Sequence, residues 1–449
     1  MSNSKISLLA TGENDSYLTG APKHTFFKKT TATHSFFGQS WSIIANNPKN
    51  LANQYLPNTN VSLRLPVEGD LINDLLIRVK IALPDNDAAD ALNADASTMA
   101  DIEKYLKKYT ALSIIKKIIM KNNDKIICEI DNQFICNYYK LHMDTPAFIN
   151  FYKMTSVGNN KLSDNSVMGD NNLIDKKIIY LYIPVPFWFT KDPKQSFPVW
   201  ALHNPNITFD IELGDYENIT TGVPAFKFGK NTATSDNYIH DIELLINYTY
   251  LNNLEKKKFE NLPLEYIIEQ TDIVNTEILA TGTTYRKKIM LPKSNFVKYI
   301  MWGLCPKIIG SKFDTVDTSK LIYNQFSNIK GITKSSLSLN GNRVLNEADS
   351  NFTSLISRYN FFKFPENDTG EINTSDSIDT NIHTYSYCLD PMNYKLSGFL
   401  NTKNYNTSEL MLDIDLSALV DLTHVELRVY QIKHNIIRFK DGSMDILYN

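Results

Sequence analysis

Apolar and polar residues alternate with a period of two in segments spread along the whole chain. In 206–213, NITFDIEL, the apolar side chains of Ile207, Phe209, Ile211 and Leu213 alternate with polar ones. Successive side chains of a strand point to opposite faces, so this alternation is typical of a strand buried on one face. The same pattern recurs in NVSLRL (60–65), DIELLINYTY (241–250) and VELRVYQI (425–432). The pattern predicts half-buried strands throughout, with Tyr250 on the buried face of its strand.

The strand-like segments are not interleaved with regular long helices, which argues against a parallel βαβ fold. Antiparallel sheets packed face to face as sandwiches account for the pattern better. A chain of 449 residues is long enough for two large all-β domains. The sequence therefore favours an all-β protein with more than one sandwich.

Three local segments carry turn or helix signals. Asn122–Asp124 separate two β-branched runs, so we predict a hairpin there in preference to an amphipathic helix. DNQFICNYYKLHM (131–143) is predicted to be a short helix with Asp131 as its N-cap. NNLEKKKFENLPLEY (252–266) is predicted to be a connector helix that Pro263 ends, between two β domains.

One segment, 182–204, combines six aromatic residues with four prolines. A helix cannot hold those prolines, and a central strand can hold few of them. We expect a segment that leaves the ladder and covers the end of a sheet or a neighbour. Most of its rings are predicted to lie inside the core of one domain, and fewer at contacts between subunits.

Composition and motifs give little indication of chemistry. Apolar residues make up 43% of the chain and the formal net charge is −3, which gives no electrostatic reason to expect nucleic-acid binding. Four cysteines without a C-x-x-C pair are predicted to be buried free thiols. His424 and His434 flank a strand and are predicted to be satisfied structural histidines. Metalloprotease, nucleophile-elbow and phosphate-loop motifs do not occur, so we predict no catalytic, cofactor or metal site.

Two acidic segments, 84–103 and 366–381, are predicted to be surface excursions. The N-terminus shows no apolar run long enough for a secretory signal, and 178–189 is too short to span a membrane. These patterns predict a soluble or peripheral protein.

Five regions, in order, resemble motifs of the major capsid proteins of nucleocytoplasmic large DNA viruses. They are GAPKHTFFKKTTATHSFF (20–37), LRLPVEGDLINDLLIRVKIALP (63–84), YIPVPFWFTKDPKQSFPVWAL (182–202), YLNNLEKKKFENLPLEYIIEQ (250–270), and a terminal region with LSGFLNTK (396–403) and NIIRFKDGSMDILYN (435–449). Leu264 replaces the usual His of the fourth motif. The motif positions to which the resemblance gives a structural role are Phe27, Gly69, Asp70, Pro184, Pro186, Phe187, Trp188, Glu255, Phe259, Glu265, Tyr266, Gln270, Ser397, Gly398, Asn401, Asn435, Arg438 and Gly442.

The resemblance implies two consecutive eight-stranded antiparallel jelly rolls. The expected organisation is an N-terminal arm (1–21), a first jelly roll (22–253), a connector helix (254–262) and a second jelly roll (263–449). Three chains are expected to form a homotrimeric, pseudohexameric capsomer of an icosahedral shell, assembled in the host cytoplasm, without catalysis. Expected partners are further copies of the chain and minor and penton capsid proteins. An inner lipid membrane is left open as a neighbour, and direct contact with nucleic acid is not expected.

Two rival functions remain. One is a tandem jelly-roll glycan-active enzyme, such as a glycan hydrolase or an amidase. It would need carboxylates beside Trp188 or Trp200 in an open groove, whereas a closed aromatic core would speak against it. The other is a carbohydrate-binding or scaffold protein of the same fold that never enters the mature shell.

Overall fold

The computed structural model describes most of the chain beyond residue 32. The described residues are 33–45, 58–84, 109–156, 169–170, 176–203, 205–214, 238–260, 264–279, 284–306, 326, 328–363, 381–417 and 424–448, with 12–15, 17, 20–21, 25 and 27 before them. The two acidic segments predicted as surface excursions, except at their ends, and Pro263 lie outside the described residues. Met1–Phe37 and Gly38–Asn449 form two separate units. Within the first, the described residues include a short 3-10 helix, Glu13–Asp15.

Ten strands of the described chain between residues 37 and 251 build the first sandwich. They are β1 (Phe37–Ala45), β2 (Asn60–Arg64), β3 (Leu71–Pro84), β4 (Ile115–Asn122), β5 (Lys125–Asp131), β6 (Gly169–Asp170), β7 (Lys176–Pro184), β8 (Phe197–Pro198), β9 (Ile207–Leu213) and β10 (Tyr238–Leu251). One sheet has the order β1-β10-β3-β7-β6, with β8 paired to β3, and is called the β1 sheet. The other has the order β2-β9-β4-β5 and is called the β2 sheet.

Nine strands of the described chain after residue 263 build the second sandwich. They are β11 (Leu264–Leu279), β12 (Thr284–Met290), β13 (Val297–Pro306), β14 (Ile332–Leu339), β15 (Asn342–Asp349), β16 (His383–Ser386), β17 (Ser408–Asp415), β18 (His424–Lys440) and β19 (Ser443–Ile446). The β11 sheet has the order β11-β18-β13-β16, with β19 paired to β18, and the β12 sheet has the order β12-β17-β14-β15.

The two sandwiches repeat one topology. Without the short strands β6, β8 and β19, each has eight strands among the described residues. In each, the first, eighth, third and sixth strands form one sheet, and the second, seventh, fourth and fifth form the other. This order is that of an antiparallel jelly roll, in which two sheets wind around one core. The predicted fold of two consecutive eight-stranded jelly rolls is confirmed, and the sandwiches are called the first and second roll.

Short helices occupy connections between strands. They are α1 (Thr110–Ile114), α2 (Asn132–His142), α3 (Thr145–Thr155), α4 (Trp188–Lys191), α5 (Asn253–Glu260) and α6 (Ser357–Phe361), the last directly preceded by a π-helical segment, Phe352–Ile356. Asp131 caps α2 as predicted, because its carboxylate accepts a hydrogen bond of 2.7 Å from the Phe134 amide. A helix is also present at the predicted connector, and β4 and β5 form the predicted hairpin around Asn123 and Asp124.

The alternation of side chains explains the cores. In β9 every second residue is buried, and Val61, Leu63 and Leu65 are buried as their pattern predicts. One expected position is wrong. Tyr250, near the end of β10, is 41% exposed. β13 departs from alternation because all of Val297–Pro306 is buried, which requires cover on both faces of the β11 sheet.

Candidate functional site: the seam between the two rolls

The β11 sheet is covered on both faces. One face packs in the core of the second roll, and the first roll covers the other. Side chains of β18 alternate between the two faces of this sheet. Leu427 and Val429 pack in the core of the second roll, whereas Tyr430 and Ile432 belong to the core cluster that contains the first roll. Arg428, on the same face as Tyr430, points towards Asp131 of the first roll. We call the contact between the first roll and this face of the β11 sheet the seam.

The proline-rich aromatic segment forms the apolar part of the seam. Phe187, Trp188, Phe189 and Phe197 are all buried, and Trp188 packs edge-on against Phe197 with 6.1 Å between ring centroids. Phe197 also meets Phe439 of the second roll at 5.7 Å. Four of the six rings are therefore buried, and one of them, Phe197, also contacts the second roll. Because prolines interrupt the ladder, the segment can turn out of the β1 sheet and pack against the second roll.

A buried ion cluster crosses the seam beside these rings. The carboxylate of Glu269 on β11 accepts a hydrogen bond of 2.6 Å from Lys191 Nζ on α4, and a second from Lys298 Nζ on β13. Lys298 is the more buried lysine, with 2% of its side chain exposed. Burial opposes ionisation of Glu269, but the two ammonium groups outweigh it and hold the pKa of this carboxyl well below its usual value.

A second polar cluster centres on Asp131. Besides capping α2, its carboxylate accepts hydrogen bonds of 2.9 and 3.0 Å from the Tyr430 hydroxyl of β18. The guanidinium of Arg428 lies 3.7 Å away. The sequence indicated only the capping role. The partner on β18 is 299 residues distant, and only the tertiary fold brings the two together.

Two residues of the predicted motifs join the seam through amide side chains. Gln270 donates from Nε2 to the carbonyl of Ile127 in the first roll, at 2.6 Å. Its Oε1 accepts a hydrogen bond of 2.8 Å from Asn435 Nδ2. Asn435 also accepts a hydrogen bond from the amide of Tyr448, at 3.2 Å, and so ties the end of the chain to β18.

The β18–β19 turn touches the first roll through Gly442. Its carbonyl accepts a hydrogen bond of 3.1 Å from the His203 amide, and its φ is +73°. A Cβ at this position would collide with the His203 ring. The β14–β15 turn offers a matched comparison, because Gly341 has a φ of +80° and open space around it.

Replacing Gly442 by Ala is expected to lower the free energy of unfolding more than replacing Gly341 by Ala. Both variants strain a left-handed backbone, but only Gly442→Ala forces a side chain against His203. We expect an additional loss of about 1–2 kcal/mol, typical of overpacking. Chemical denaturation of both variants measures it, and equal losses would contradict a seam contact at this turn.

The other motif residues lie at several places. Gly69 leaves no room for a Cβ beside Tyr248, and Asp70 accepts a hydrogen bond of 2.8 Å from the Leu251 amide. Asp70 also pairs with Lys256 of α5 at 2.7 Å. Pro184 is half-buried and Pro186 is buried. Glu265 pairs with Arg438 at 2.6 Å on an exposed part of the β11 sheet.

Of the remaining motif residues, Tyr266 joins the apolar part of the seam and the others do not join the seam clusters described above. Tyr266 packs edge-on against Phe439 at 5.9 Å. The Ser397 hydroxyl forms hydrogen bonds with the backbone of Asp390. Gly398 has a φ of +137°, and Asn401 caps a short 3-10 helix. Phe27 is 98% exposed. Glu255 and Phe259 lie on α5, and the side chain of Phe259 is outside the described residues. The structural roles assigned to these motif positions stay predictions.

Two histidines, the half-buried His142 and the buried His434, have lowered pKa values and are neutral near pH 7. Burial lowers the pKa of His142 to about 3, and its ring stacks on Tyr138 with 3.9 Å between centroids. Burial likewise lowers the pKa of His434 to about 4. Both ring nitrogens of His434 lack a hydrogen-bond partner in the described part of the chain, so the prediction of a satisfied histidine is wrong there. The side chain of His424 is outside the described residues. The four cysteines are buried thiols and none forms a disulfide, as predicted.

A cavity of about 400 Å³ lies at the seam between His203 of the first roll and Gly442 of the β18–β19 turn, whereas the space beside the buried rings is small. A cavity of about 10 Å³ beside Cys128, Phe187 and Gln270 has room for roughly one water molecule. Across the described ranges, we find no group of three His, Cys, Asp or Glu residues that could hold a metal ion. Nor is any helix of those ranges long and apolar enough to cross a membrane. The seam joins two rolls by burial and by paired charges.

Both halves of the chain match models of one protein family. Residues 25–252 match the major capsid protein N-terminus, and residues 255–445 match the large eukaryotic DNA virus major capsid protein. The chain belongs to the major capsid protein family of large eukaryotic DNA viruses. The family match fits the motif order found in the sequence, and it makes this chain a structural protein of a capsid and not an enzyme.

Relatives are distant in sequence and similar in fold. The major capsid protein of Pyramimonas orientalis virus is 23% identical over 470 residues, which cover all of both chains. That of Paramecium bursaria Chlorella virus 1 is 23% identical over 298 residues, covering 66% of this chain and 59% of the relative. The solved structure of PBCV-1 VP54, fitted into a reconstruction of the virophage Sputnik, matches with a TM-score of 0.70 at 16% identity, covering 95% of this chain and 100% of that one. The Faustovirus major capsid protein matches with a TM-score of 0.65 at 12% identity, covering 96% and 94%.

Proposed function

We propose that three copies of this major capsid protein form a homotrimeric capsomer with six lobes, and that these capsomers tile an icosahedral shell. The observation that carries the proposal is the repeat of one jelly-roll topology in two rolls joined by a buried seam. A chain with two similar lobes held together by the seam presents two similar units to its neighbours. Three such chains supply six lobes, the number that packs in a near-hexagonal array.

Closed burial around Trp188 favours this function over a glycan-active enzyme. Trp188, which would have to line an open groove in an enzyme of this kind, is 1% exposed within an aromatic core. Its neighbours are Phe189 and Phe197. A close-packed core of this kind makes the junction of the two rolls rigid, and a shell component has to keep its shape against its neighbours.

The finer expectations belong to the same proposal. The N-terminal arm is proposed to comprise residues 1–21, the first roll 22–253, the connector 254–262 and the second roll 263–449. α5, Asn253–Glu260, and the start of β11 at Leu264 support the two later boundaries. We also propose assembly in the host cytoplasm and contacts with minor and penton capsid proteins. An inner lipid membrane would face the inside of the shell.

Size-exclusion chromatography with light scattering tests the trimer. The expected mass is three times the chain mass of 51.3 kDa, held across a tenfold dilution because obligate interfaces are large. A monomer at all concentrations, or a dimer, would refute the proposal. Electron microscopy and gel analysis of purified virions then separate a shell component from a scaffold, since a scaffold is absent from the mature particle.

A further inference from the structure

The helix that follows the fifth strand of the first roll is covered on all sides. This helix, α2, lies between β5 and β7, and every residue from Asn132 to Leu141 is buried. One part of its cover is the second roll: Phe134 meets Tyr430 with 5.5 Å between ring centroids, and Asn137 accepts a hydrogen bond of 3.0 Å from Asn328. In the first roll, therefore, the helix at this place in the topology is a contact element.

The helix at the same place in the second roll is covered on one face only. It runs from the π-helical segment Phe352–Ile356 through α6, between β15 and β16. Its inner face is polar, because Thr353 bonds with His383 at 2.8 Å and Ser357 with Thr384 at 2.9 Å. Its outer face is apolar, and its exposed members are Phe352, Leu355, Ile356 and Tyr359. We call these four residues the outer stripe.

The outer stripe reverses the usual arrangement of a surface helix, which buries its apolar face and exposes its polar one. Tyr359 alone is 85% exposed. The segment after the sixth strand of each roll shows the same difference between a buried first-roll element and an exposed second-roll element. In the first roll it carries the buried rings of the seam, whereas in the second roll Leu389, Leu396 and Phe399 are exposed. The second roll thus presents, uncovered, the elements that the first roll uses to bind its neighbour.

A matching receptor surface lies on the first roll. β1 has the same position in its sheet as β11 has in the second roll. The first roll covers β11, and Glu269 and Gln270 of β11 form hydrogen bonds with it. β1 instead exposes apolar side chains, with Trp41 at 49% and Ile43 at 53%. Gln39 reaches across to Thr249 of β10. Gln39, Trp41 and Ile43 alternate, so they share one face of the sheet.

We propose that the outer stripe of one copy packs on Trp41 and Ile43 of the next copy, so that the seam within the chain is repeated between chains. The inference rests on the proposed trimer and adds the surfaces that build it. The contact is head-to-tail, since each copy offers a stripe on its second roll and a receptor on its first. A head-to-tail contact forms a ring when its rotation closes, and three chains with two rolls each then make six similar contacts.

Cysteine cross-linking tests the contact directly. The four native cysteines are buried, so engineered ones can be coupled selectively with a short bis-maleimide. The double variant Trp41→Cys with Tyr359→Cys is expected to give covalent species that end at the trimer on a denaturing gel. Neither single variant should cross-link, but a mixture of the two should give dimers when the chains are allowed to exchange. Trp41→Cys with Met290→Cys is the control, because Met290 is exposed on β12, at the other edge of the sheet from β15.

The outcomes separate this inference from the trimer itself. Trimers by light scattering that do not cross-link in the double variant would overturn the inference and leave the proposed function standing. Dimers from either single variant would indicate a two-fold contact and would overturn it too, as would covalent ladders that continue past three chains. A protein that is monomeric by light scattering would overturn both.

Discussion

Replacing Glu269 by Gln is expected to lower the free energy of unfolding by about 3 kcal/mol at neutral pH. The change keeps the shape of the side chain but leaves the ammonium groups of Lys191 and Lys298 in the seam without a counter-charge. Breaking a buried ion pair by removing one partner costs about 3–5 kcal/mol, and the partial exposure of Lys191 places the expectation at the lower end. Urea denaturation followed by fluorescence gives the measurement.

The matched control is Glu265→Gln on the same strand. Glu265 also pairs with a basic residue, Arg438, but both side chains are more than two-fifths exposed. Exposed pairs contribute about 0–1 kcal/mol, so this variant should unfold almost as the unmodified protein does. Equal effects of the two substitutions would mean that the seam cluster is no stronger than a surface pair.

The effect of Glu269→Gln should also depend on pH. The pKa of Glu269 is depressed in the folded protein, so the unfolded chain binds more protons as the pH falls below the ordinary carboxyl pKa, about 4.3. The stabilisation is therefore fully present above that pH and is lost as the pH falls towards the folded-state pKa. The stability difference between the two proteins should shrink between about pH 6 and about pH 3.

Local signals predicted the strands and the short-range features well. Alternation located β9 and β10, and the type of residue at Asp131 located the start of α2, because these features depend on residues close in sequence. Tyr250 differs from the prediction because the alternation continues past Thr249, the last residue of β10 that pairs with β3. The resemblance to capsid proteins located Gln270 and Asn435 but could not indicate that they bond with each other.

The seam could not be predicted, since its contacts join residues far apart in the chain. Lys191 and Glu269 are 78 residues apart, and Asp131 and Tyr430 are 299 apart. One signal was available in the sequence. Lys298 interrupts an apolar strand, VKYIMWGLCP, and a lysine within a fully buried strand requires a buried acceptor. The identity of that acceptor, Glu269, still depends on the fold.

Replacing Phe197 by Ala is expected to lower the free energy of unfolding by about 3–5 kcal/mol, the usual cost of deleting a buried ring. The ring is fully buried and links Trp188 of the first roll with Phe439 of the second. Phe27→Ala, at a motif residue that is 98% exposed, should change stability by less than about 0.5 kcal/mol.

A second buried ring separates damage to the seam from loss of core volume. Phe209 is also buried, but it packs against Phe187 within the first roll, at 6.4 Å between centroids. Phe209→Ala and Phe197→Ala should therefore lose similar stability. Only Phe197→Ala should accelerate amide hydrogen exchange in β18 around Phe439, because it removes the contact that holds this strand against the first roll. Equal acceleration in both variants would show that the ring at 197 stabilises the first roll alone, and the seam would then depend on its charges.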